Sequence, residues 1–196
     1  MSTLRRVCVF CGSNPGNRRD YEDAAVALGR ALVDRDLELV YGGASVGLMG
    51  VLADAVLAAG GRAVGVMPEA FVAKEIVHDG LSELLVVSSM HERKAAMAER
   101  ADAFVALPGG FGTFEETLEV ITWTQLGLHA KPVGLLDVAG FFDHLVRFID
   151  HAVDEGFVRT AHRELVIVDP EPIGMLDRLQ RFEPPTVAKW IDRSST

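Results

Sequence analysis

A glycine-rich turn followed by two carboxylates carries the clearest chemistry in the sequence, at residues 108–116 (PGGFGTFEE). Glycines let backbone N–H groups approach a phosphate, and the positive end of a following helix favours the same anion. Glu115 and Glu116 are expected in the first turn of that helix, where they would repel phosphate. They make chemical sense if they act one sugar ring away, at the anomeric carbon of a 5′-phosphorylated ribose. A structural alternative stays open, because Thr113-x-x-Glu116 fits a capping box with Thr113 as N-cap.

Two adjacent cations form a second cluster, in the segment MHERK at residues 90–94. Arg93 and Lys94 would open a predicted helix near the same end of the molecule. Arg93 offers a fork to a phosphate or carboxylate, and Lys94 offers a point charge. The alternative is a solvated helix face, on which Arg93 is exposed and contributes little to stability.

Two more turns rich in small residues follow predicted strands, at residues 11–14 (CGSN) and 42–50 (GGASVGLMG). Neither 42–50 nor 108–116 carries the dinucleotide fingerprint G-x-G-x-x-G with its acidic partner, and neither carries the G-K-[ST] of a P-loop. The sequence therefore argues against a dinucleotide or a triphosphate as the ligand. A tight turn without any ligand remains the plain alternative for each loop.

Short apolar runs alternate with amphipathic stretches along the whole chain, which predicts an α/β fold with a doubly wound, mostly parallel sheet flanked by helices. The predicted strands are 7–13, 37–43, 62–68, 84–89, 103–110, 131–137 and 165–169, and the predicted helices are 20–35, 48–59, 91–101, 114–127 and 141–154. Ligands of such sheets bind beyond the carboxyl ends of the strands, where the glycine turns lie. We expect one domain over 1–182 and a short tail over 183–196.

Composition limits the possible partners. The chain has 196 residues and a formal net charge of -9, which disfavours nucleic acid and anionic membranes. No apolar stretch reaches the roughly 18 residues of a membrane span, so a cytoplasmic location is expected. Cys8 and Cys11 should point to opposite faces of a strand, and the histidines lack metal-ligand spacing, so we predict no metal site.

Four segments resemble the LOG family, the cytokinin riboside 5′-monophosphate phosphoribohydrolases, whose members often carry an older "lysine decarboxylase" label. They are YGGASVGLMG (41–50), MHERK (90–94), LPGGFGTFEE (107–116) and EVITWTQLG (119–127). The resemblance extends from the opening CVFCGS to about residue 180. Ala44 departs from the pattern, since many members have a third glycine there.

The resemblance implies a Rossmann-like fold, a homodimer with sites near the subunit interface, and hydrolysis of an N6-modified adenosine monophosphate without metal or cofactor. Arg93 and Glu116 match the family's catalytic pair. The matching substrate contacts are Glu75, Lys94, Gly110, Phe111, Gly112, Thr113, Phe114, Glu115, Glu116 and Thr122. The glycine-rich turns add Gly12, Ser13, Gly43, Gly47 and Gly109 to the predicted substrate-binding residues.

Cleavage of a ribosyl C1′–N9 bond generates oxocarbenium character, which the Glu116 carboxylate could stabilise while it orients or deprotonates water. Arg93 would orient the phosphate and ribose or keep Glu116 ionised. A broad nucleotide 5′-monophosphate nucleosidase and a non-catalytic nucleotide-binding module remain alternatives. Base specificity would depend on apolar side chains near the purine, for which the candidates are Met49, Phe71, Met97 and Trp123.

A lysine decarboxylase would need a lysine that carries pyridoxal phosphate, and none of the four lysines has a recognisable context for it. The helix over 114–128 bears more apolar side chains than one amphipathic stripe needs, which independently favours a homodimer.

Overall fold

The computed structural model describes residues 4–72 and 76–185, and within them a seven-stranded parallel sheet forms the centre of the molecule. The strands are β1 Arg6–Phe10, β2 Glu38–Tyr41, β3 Ala63–Pro68, β4 Glu83–Val87, β5 Ala103–Ala106, β6 Val133–Leu136 and β7 Val166–Asp169. Their spatial order is β4-β3-β2-β1-β5-β6-β7, and every pair is parallel. The expected sheet is confirmed, with each predicted strand present.

Helices connect the strands and cover both faces of the sheet. They are α1 Arg19–Val33, α2 Gly47–Ala58, α3 Glu69–Val72, α4 Met90–Arg100, α5 Phe111–Leu126, α6 Asp143–Asp154, α7 Thr160–Arg163 and α8 Pro172–Gln180. The five predicted helices are confirmed, while α3, α7 and α8 were not predicted. A short 3₁₀ turn at Val138–Gly140 precedes α6. None of the helices in the described ranges has the length and apolar character required to cross a membrane.

Side chains alternate between the two faces of β1, and this alternation separates the core into two layers. Val7 and Val9 pack with α1, α2 and α8, whereas Cys8 and Phe10 pack with α4 and α5. Cys8 and Cys11 are buried free thiols in different layers, as the strand geometry predicted. A smaller cluster around Phe142 joins α5 to α6.

The direction of winding reverses between β1 and β5, which lie side by side at the centre of the sheet. Chain connections leave these two strands toward opposite edges, so the loops that follow them border a crevice, the usual ligand site of such folds. The two loops are joined directly, since the Gly12 N–H donates to the Pro108 carbonyl at 3.0 Å. The predicted tail at 183–196 falls mostly outside the described residues, so the domain boundary stays a prediction.

Candidate active site

Helix α5 begins immediately after the glycine turn and, among the described residues, no side chain caps its N-terminus. Gly110 is the N-cap in an extended conformation, and the Phe114 N–H makes the first helical bond to the Gly110 carbonyl at 3.0 Å. The N–H groups of the first turn are therefore free to bind an anion from the crevice. A mononucleotide phosphate is an anion of suitable size.

The capping-box alternative for Thr113 and Glu116 is wrong. Thr113 is the third helical residue rather than the N-cap and is buried, with its carbonyl accepting a 2.6 Å bond from the Thr117 hydroxyl. Glu115 and Glu116 consequently lie in the second turn and not in the first. Phe111 and Gly112 already take helical conformations, and the Thr113 side chain packs against Gly109. Glu116 is thereby released from a structural task at the helix end.

The glycines of the two joined loops differ in what they face. A Cβ on Gly109 would collide with the Thr113 side chain and lie 2.9 Å from the Gly12 nitrogen, and one on Gly12 would lie 3.3 Å from the Gly109 Cα. At Gly110 and Gly112 a Cβ would meet nothing within 4 Å in the described part of the chain. The first two glycines thus let the loops approach each other, whereas the other two border open space.

Two cavities lie next to each other at the carboxyl ends of the strands. One of about 280 Å³ is bordered by the loops after β1 and β5 and by Tyr21 and Phe141. The other, of about 180 Å³, is apolar and is lined by Met49, Phe71 and Arg93 among others. Ser13 lines both cavities, so the anion site at α5 and the apolar cavity are neighbours.

The apolar cavity separates the four candidates for base specificity. Met49 and Phe71 line it. Met97 is 1% exposed inside the core, and Trp123 is half-buried against the same core cluster and beside His129. Of the four candidates, only Met49 and Phe71 line the apolar cavity.

Arg93 is held between the sheet and α5. Its Nε donates to the Val66 carbonyl at 3.1 Å, and its Nη1 lies 3.7 Å from Glu116 Oε1. The two side chains are 16% and 13% exposed, so the solvated-face alternative is wrong for Arg93. Gly42 makes room for this arrangement, because a Cβ there would collide with the guanidinium group.

Burial raises the pKa of Glu116 above its ordinary value, and the neighbouring Arg93 guanidinium opposes that rise. A carboxylate with a raised pKa beside a fixed cation in a crevice is typical of groups that exchange protons or stabilise positive charge during a reaction.

The comparisons with known proteins agree with this chemistry. The family model described as "Possible lysine decarboxylase" matches residues 49–179. A protein of rice (Oryza sativa subsp. japonica) named "Probable cytokinin riboside 5′-monophosphate phosphoribohydrolase" is 54% identical over 183 residues, covering 93% of this chain and 81% of its own. An Arabidopsis thaliana cytokinin riboside 5′-monophosphate phosphoribohydrolase is 52% identical, covering 93% of this chain and 86% of its own. The chain belongs to the LOG family.

Solved structures similar to this LOG-family chain include the molybdenum cofactor carrier protein of Chlamydomonas reinhardtii, with a TM-score of 0.69 and 22% identity over 90% of this chain and 98% of that one. A molybdenum cofactor binding protein of Rippkaea orientalis gives a TM-score of 0.67 and 18% identity, covering 90% of this chain and 96% of that one. At such identities the likeness shows the fold alone, which is the expected Rossmann-like one.

Lys94 of the LOG-family motif is already paired with two carboxylates. Its Nζ donates to Glu115 Oε1 at 2.5 Å and to Glu119 Oε1 at 3.0 Å, and its side chain is 12% exposed. The hydrogen bond to Glu115 is the main cause of a raised Lys94 pKa. Direct contact of Lys94 with substrate stays a prediction, and Glu119 is a charged neighbour that the sequence reasoning missed.

Helix α4 begins near the same edge of the sheet, but its N-terminus is occupied. The Ser89 hydroxyl accepts from the Glu92 N–H at 3.2 Å, and the Glu92 carboxylate accepts from the N–H and hydroxyl of Ser88 at 2.7 and 2.6 Å. The spacing Ser89-x-x-Glu92 is itself a capping signature that the sequence analysis overlooked. Of these two helix ends, only that of α5 has first-turn N–H groups without a side-chain cap.

The remaining predicted residues of the LOG-family chain are in varied positions. Gly43 and Gly47 have positive φ angles of 81° and 57°, and a Cβ on Gly47 would collide with the Ser13 backbone. Ala44 has no such φ, so this position of the loop accepts alanine. Phe111 is 91% exposed at the start of α5. Phe114 packs edge-on against Phe111 and stacks on Phe141, on the other side.

One predicted contact, Thr122, is not brought to Glu116. Thr122 is exposed, and its hydroxyl donates to the Leu118 carbonyl at 2.7 Å. Six helical residues place it about 120° around α5 from Glu116. Glu75 lies outside the described residues, so its role stays a prediction. Among the described residues no group of three or more His, Cys, Asp or Glu side chains could hold a metal ion.

Proposed function

We propose that this chain hydrolyses the N-glycosidic bond of N6-modified adenosine 5′-monophosphates, releasing the free base and ribose 5-phosphate. The observation that carries the proposal is the largely buried Arg93–Glu116 pair beside an uncapped helix N-terminus and an apolar cavity. The rice and Arabidopsis relatives are named for this activity, and they share more than half of their aligned residues with this chain.

The two cavities suggest how the substrate lies. The phosphate binds the first-turn N–H groups of α5, near Gly110 and Gly112, where the backbone borders open space. The base enters the apolar cavity, where Met49 and Phe71 contact an N6 substituent. Ser13 lines both cavities, so the ribose crosses between them. Phosphate binding then fixes the position of C1′, which converts binding energy into catalysis.

Hydrolysis breaks the C1′–N9 bond with its electron pair leaving on the base. A water oxygen forms the new bond to C1′, and the proton lost from that water replaces the bond on the purine. Glu116 stabilises the positive charge at C1′ and accepts the water proton, which then passes to the purine nitrogen and leaves Glu116 ionised again. Arg93 favours the ionised form of the largely buried Glu116, since its charge opposes the rise in pKa that burial causes.

Decarboxylation of lysine does not fit the lysines that the structure describes. Lys94 is engaged by two carboxylates. Lys131 precedes β6 and so lies at the amino ends of the strands, away from the candidate site. Its Nζ donates to the Ala98 carbonyl at 2.6 Å. The family model's older description is therefore a label and not the activity of this chain.

A homodimer is part of the proposal. Phe111, Leu118, Thr122 and Leu126 are spaced seven, four and four residues apart along α5 and are all exposed. That spacing forms a stripe suited to packing against another helix. Thr122 lies within this stripe, so a family-like substrate contact from Thr122 would be made across the subunit interface. We also propose a cytoplasmic location, which cell fractionation tests.

The test is incubation with N6-isopentenyl-AMP, AMP, GMP and CMP, with the products separated by chromatography. We expect base and ribose 5-phosphate in equimolar amounts, with the prenylated nucleotide cleaved fastest. Similar rates for all four nucleotides would favour a broad nucleosidase instead. Binding of AMP without any release of base would favour a nucleotide-binding module and contradict the proposal.

A further inference from the structure

Helices α4 and α5 are joined by two sets of charge contacts that involve consecutive residues. Arg93 and Glu116 approach to 3.7 Å, which is too long for a hydrogen bond. The neighbouring Lys94 is bound much more tightly, by Glu115 and by Glu119 one turn further along α5. The closest connection between the two helices at the site is therefore this clamp, Lys94 with Glu115 and Glu119.

We propose that Glu119, acting through Lys94, is a positioning residue that sets the distance between Arg93 and Glu116. The inference rests on the proposed function. Two carboxylates spaced i and i+4 form a cradle on one face of α5, and an ammonium group has three donors with which to fill it. Lys94 is 12% and Glu119 26% exposed, so water screens their contact less than it screens a surface ion pair.

The clamp holds α4 at a fixed place along α5. Arg93 directly precedes Lys94, and Glu116 directly follows Glu115, so a shift of Lys94 within its cradle moves the catalytic pair with it. Arg93 is fixed at its other side by Val66. Loss of Glu119 leaves Lys94 with the more exposed Glu115 as its partner and widens the range of Arg93–Glu116 distances.

The clamp also acts on the charge of Glu116. The charged and titratable groups around Glu116 are Arg93 and Lys94 of α4, Glu115 and Glu119 of α5, the Cys8 thiol of β1 and the Cys11 thiol directly after β1. Burial keeps both thiols neutral by raising each thiol pKa. Lys94 lowers the pKa of Glu116, whereas Glu119 raises it. Removal of Lys94 should therefore raise the pKa of Glu116, and removal of Glu119 should lower it.

The experiment compares Lys94→Met and Glu119→Gln with a matched control, Arg100→Gln. Arg100 forms a 2.8 Å ion pair with Glu83 at the far end of the same helix. The measurements are kcat, KM and the pH profile of kcat/KM with N6-isopentenyl-AMP, together with the preference for that nucleotide over its nucleoside. Lys94→Arg, which keeps the charge, serves as the conservative rescue.

We expect kcat to fall about tenfold in Lys94→Met and Glu119→Gln, because small displacements of catalytic groups are costly. The acid limb of the kcat/KM profile should shift to higher pH in Lys94→Met and to lower pH in Glu119→Gln. The preference for the monophosphate over the nucleoside should stay unchanged in both variants. Arg100→Gln should match the parent chain, and Lys94→Arg should recover most of kcat.

A raised KM with loss of the preference for the monophosphate in Lys94→Met would overturn the inference, because Lys94 would then bind phosphate directly. Unshifted acid limbs in both variants, or a shift in the same direction, would also overturn it. If Lys94→Met does not fold, Glu119→Gln alone tests the inference. An unchanged kcat, or an acid limb that does not shift to lower pH, would then overturn it. A parent chain that releases no base would refute the proposed function instead, which is a distinct result.

Discussion

Replacement of Glu116 by glutamine separates a catalytic carboxylate from a structural one. Glu116 is 13% exposed and does not cap α5, which begins at Phe111. Glutamine has the same shape and lacks the charge, so it tests the carboxylate itself. If Glu116 stabilises the oxocarbenium ion or activates water, turnover should fall by about 10²–10⁴-fold, the usual contribution of a general base.

The same substitution should leave the stability of the fold unchanged or raise it, although it lowers turnover. Because burial raises the Glu116 pKa, the folded chain binds this proton more tightly than the unfolded chain does. Ionised Glu116 therefore destabilises the fold above its raised pKa, and this penalty disappears as the pH falls through that pKa and below the ordinary value of 4.5. Glutamine resembles the neutral form, so the Tm of Glu116→Gln should equal or exceed that of the parent chain at neutral pH.

The assay pairs release of base from N6-isopentenyl-AMP with thermal unfolding at neutral and acidic pH. Glu99→Gln is the control, since Glu99 is exposed on the neighbouring α4 and its neutralisation should change neither quantity. Glu115 is unsuitable as a control because it binds Lys94. Near-normal turnover in Glu116→Gln would refute the catalytic assignment. A Tm lower by more than about 4 °C, or roughly 1 kcal/mol, would refute the argument from burial.

Three further variants test other parts of the structure. Gly42→Ala places a Cβ against the Arg93 guanidinium, so kcat should fall while circular dichroism shows an unchanged fold; full activity would contradict the placement of Arg93. Ser89→Ala removes the cap of α4 and should lower the unfolding free energy by about 1 kcal/mol in a urea titration. Leu126→Glu should convert a homodimer into a monomer in light scattering, whereas a monomeric parent chain would contradict the proposed interface.

Periodicity predicted the fold because the strands are short, apolar and separated by helices of matching length. The alternation of Cys8 and Cys11 between core layers follows from the same geometry. The predicted start of α5 was wrong because the local sequence is compatible both with a capping box over Thr113-x-x-Glu116 and with an N-cap at Gly110. Packing of Thr113 beneath Gly109 decides between them, and that contact depends on the three-dimensional arrangement of the loops.

The glycine turn and its carboxylate were visible in the sequence, but the partners of the charged residues were not. Lys94 pairs with Glu115 and Glu119, and Arg93 pairs with Glu116. These pairings depend on how α4 and α5 pack against each other. No spacing within one helix carries that information. The Ser89 cap, in contrast, is a local pattern that could have been recognised from the sequence.

The most direct test of the proposed hydrolase is the ratio of kcat/KM for N6-isopentenyl-AMP to that for the corresponding nucleoside. The uncapped end of α5 offers its N–H groups to the phosphate, which lies one sugar ring from the bond that breaks. We therefore expect the ratio to exceed about 100, since a lost charge-assisted contact of roughly 3 kcal/mol corresponds to such a factor. Equal kcat/KM for the nucleotide and the nucleoside would contradict the account.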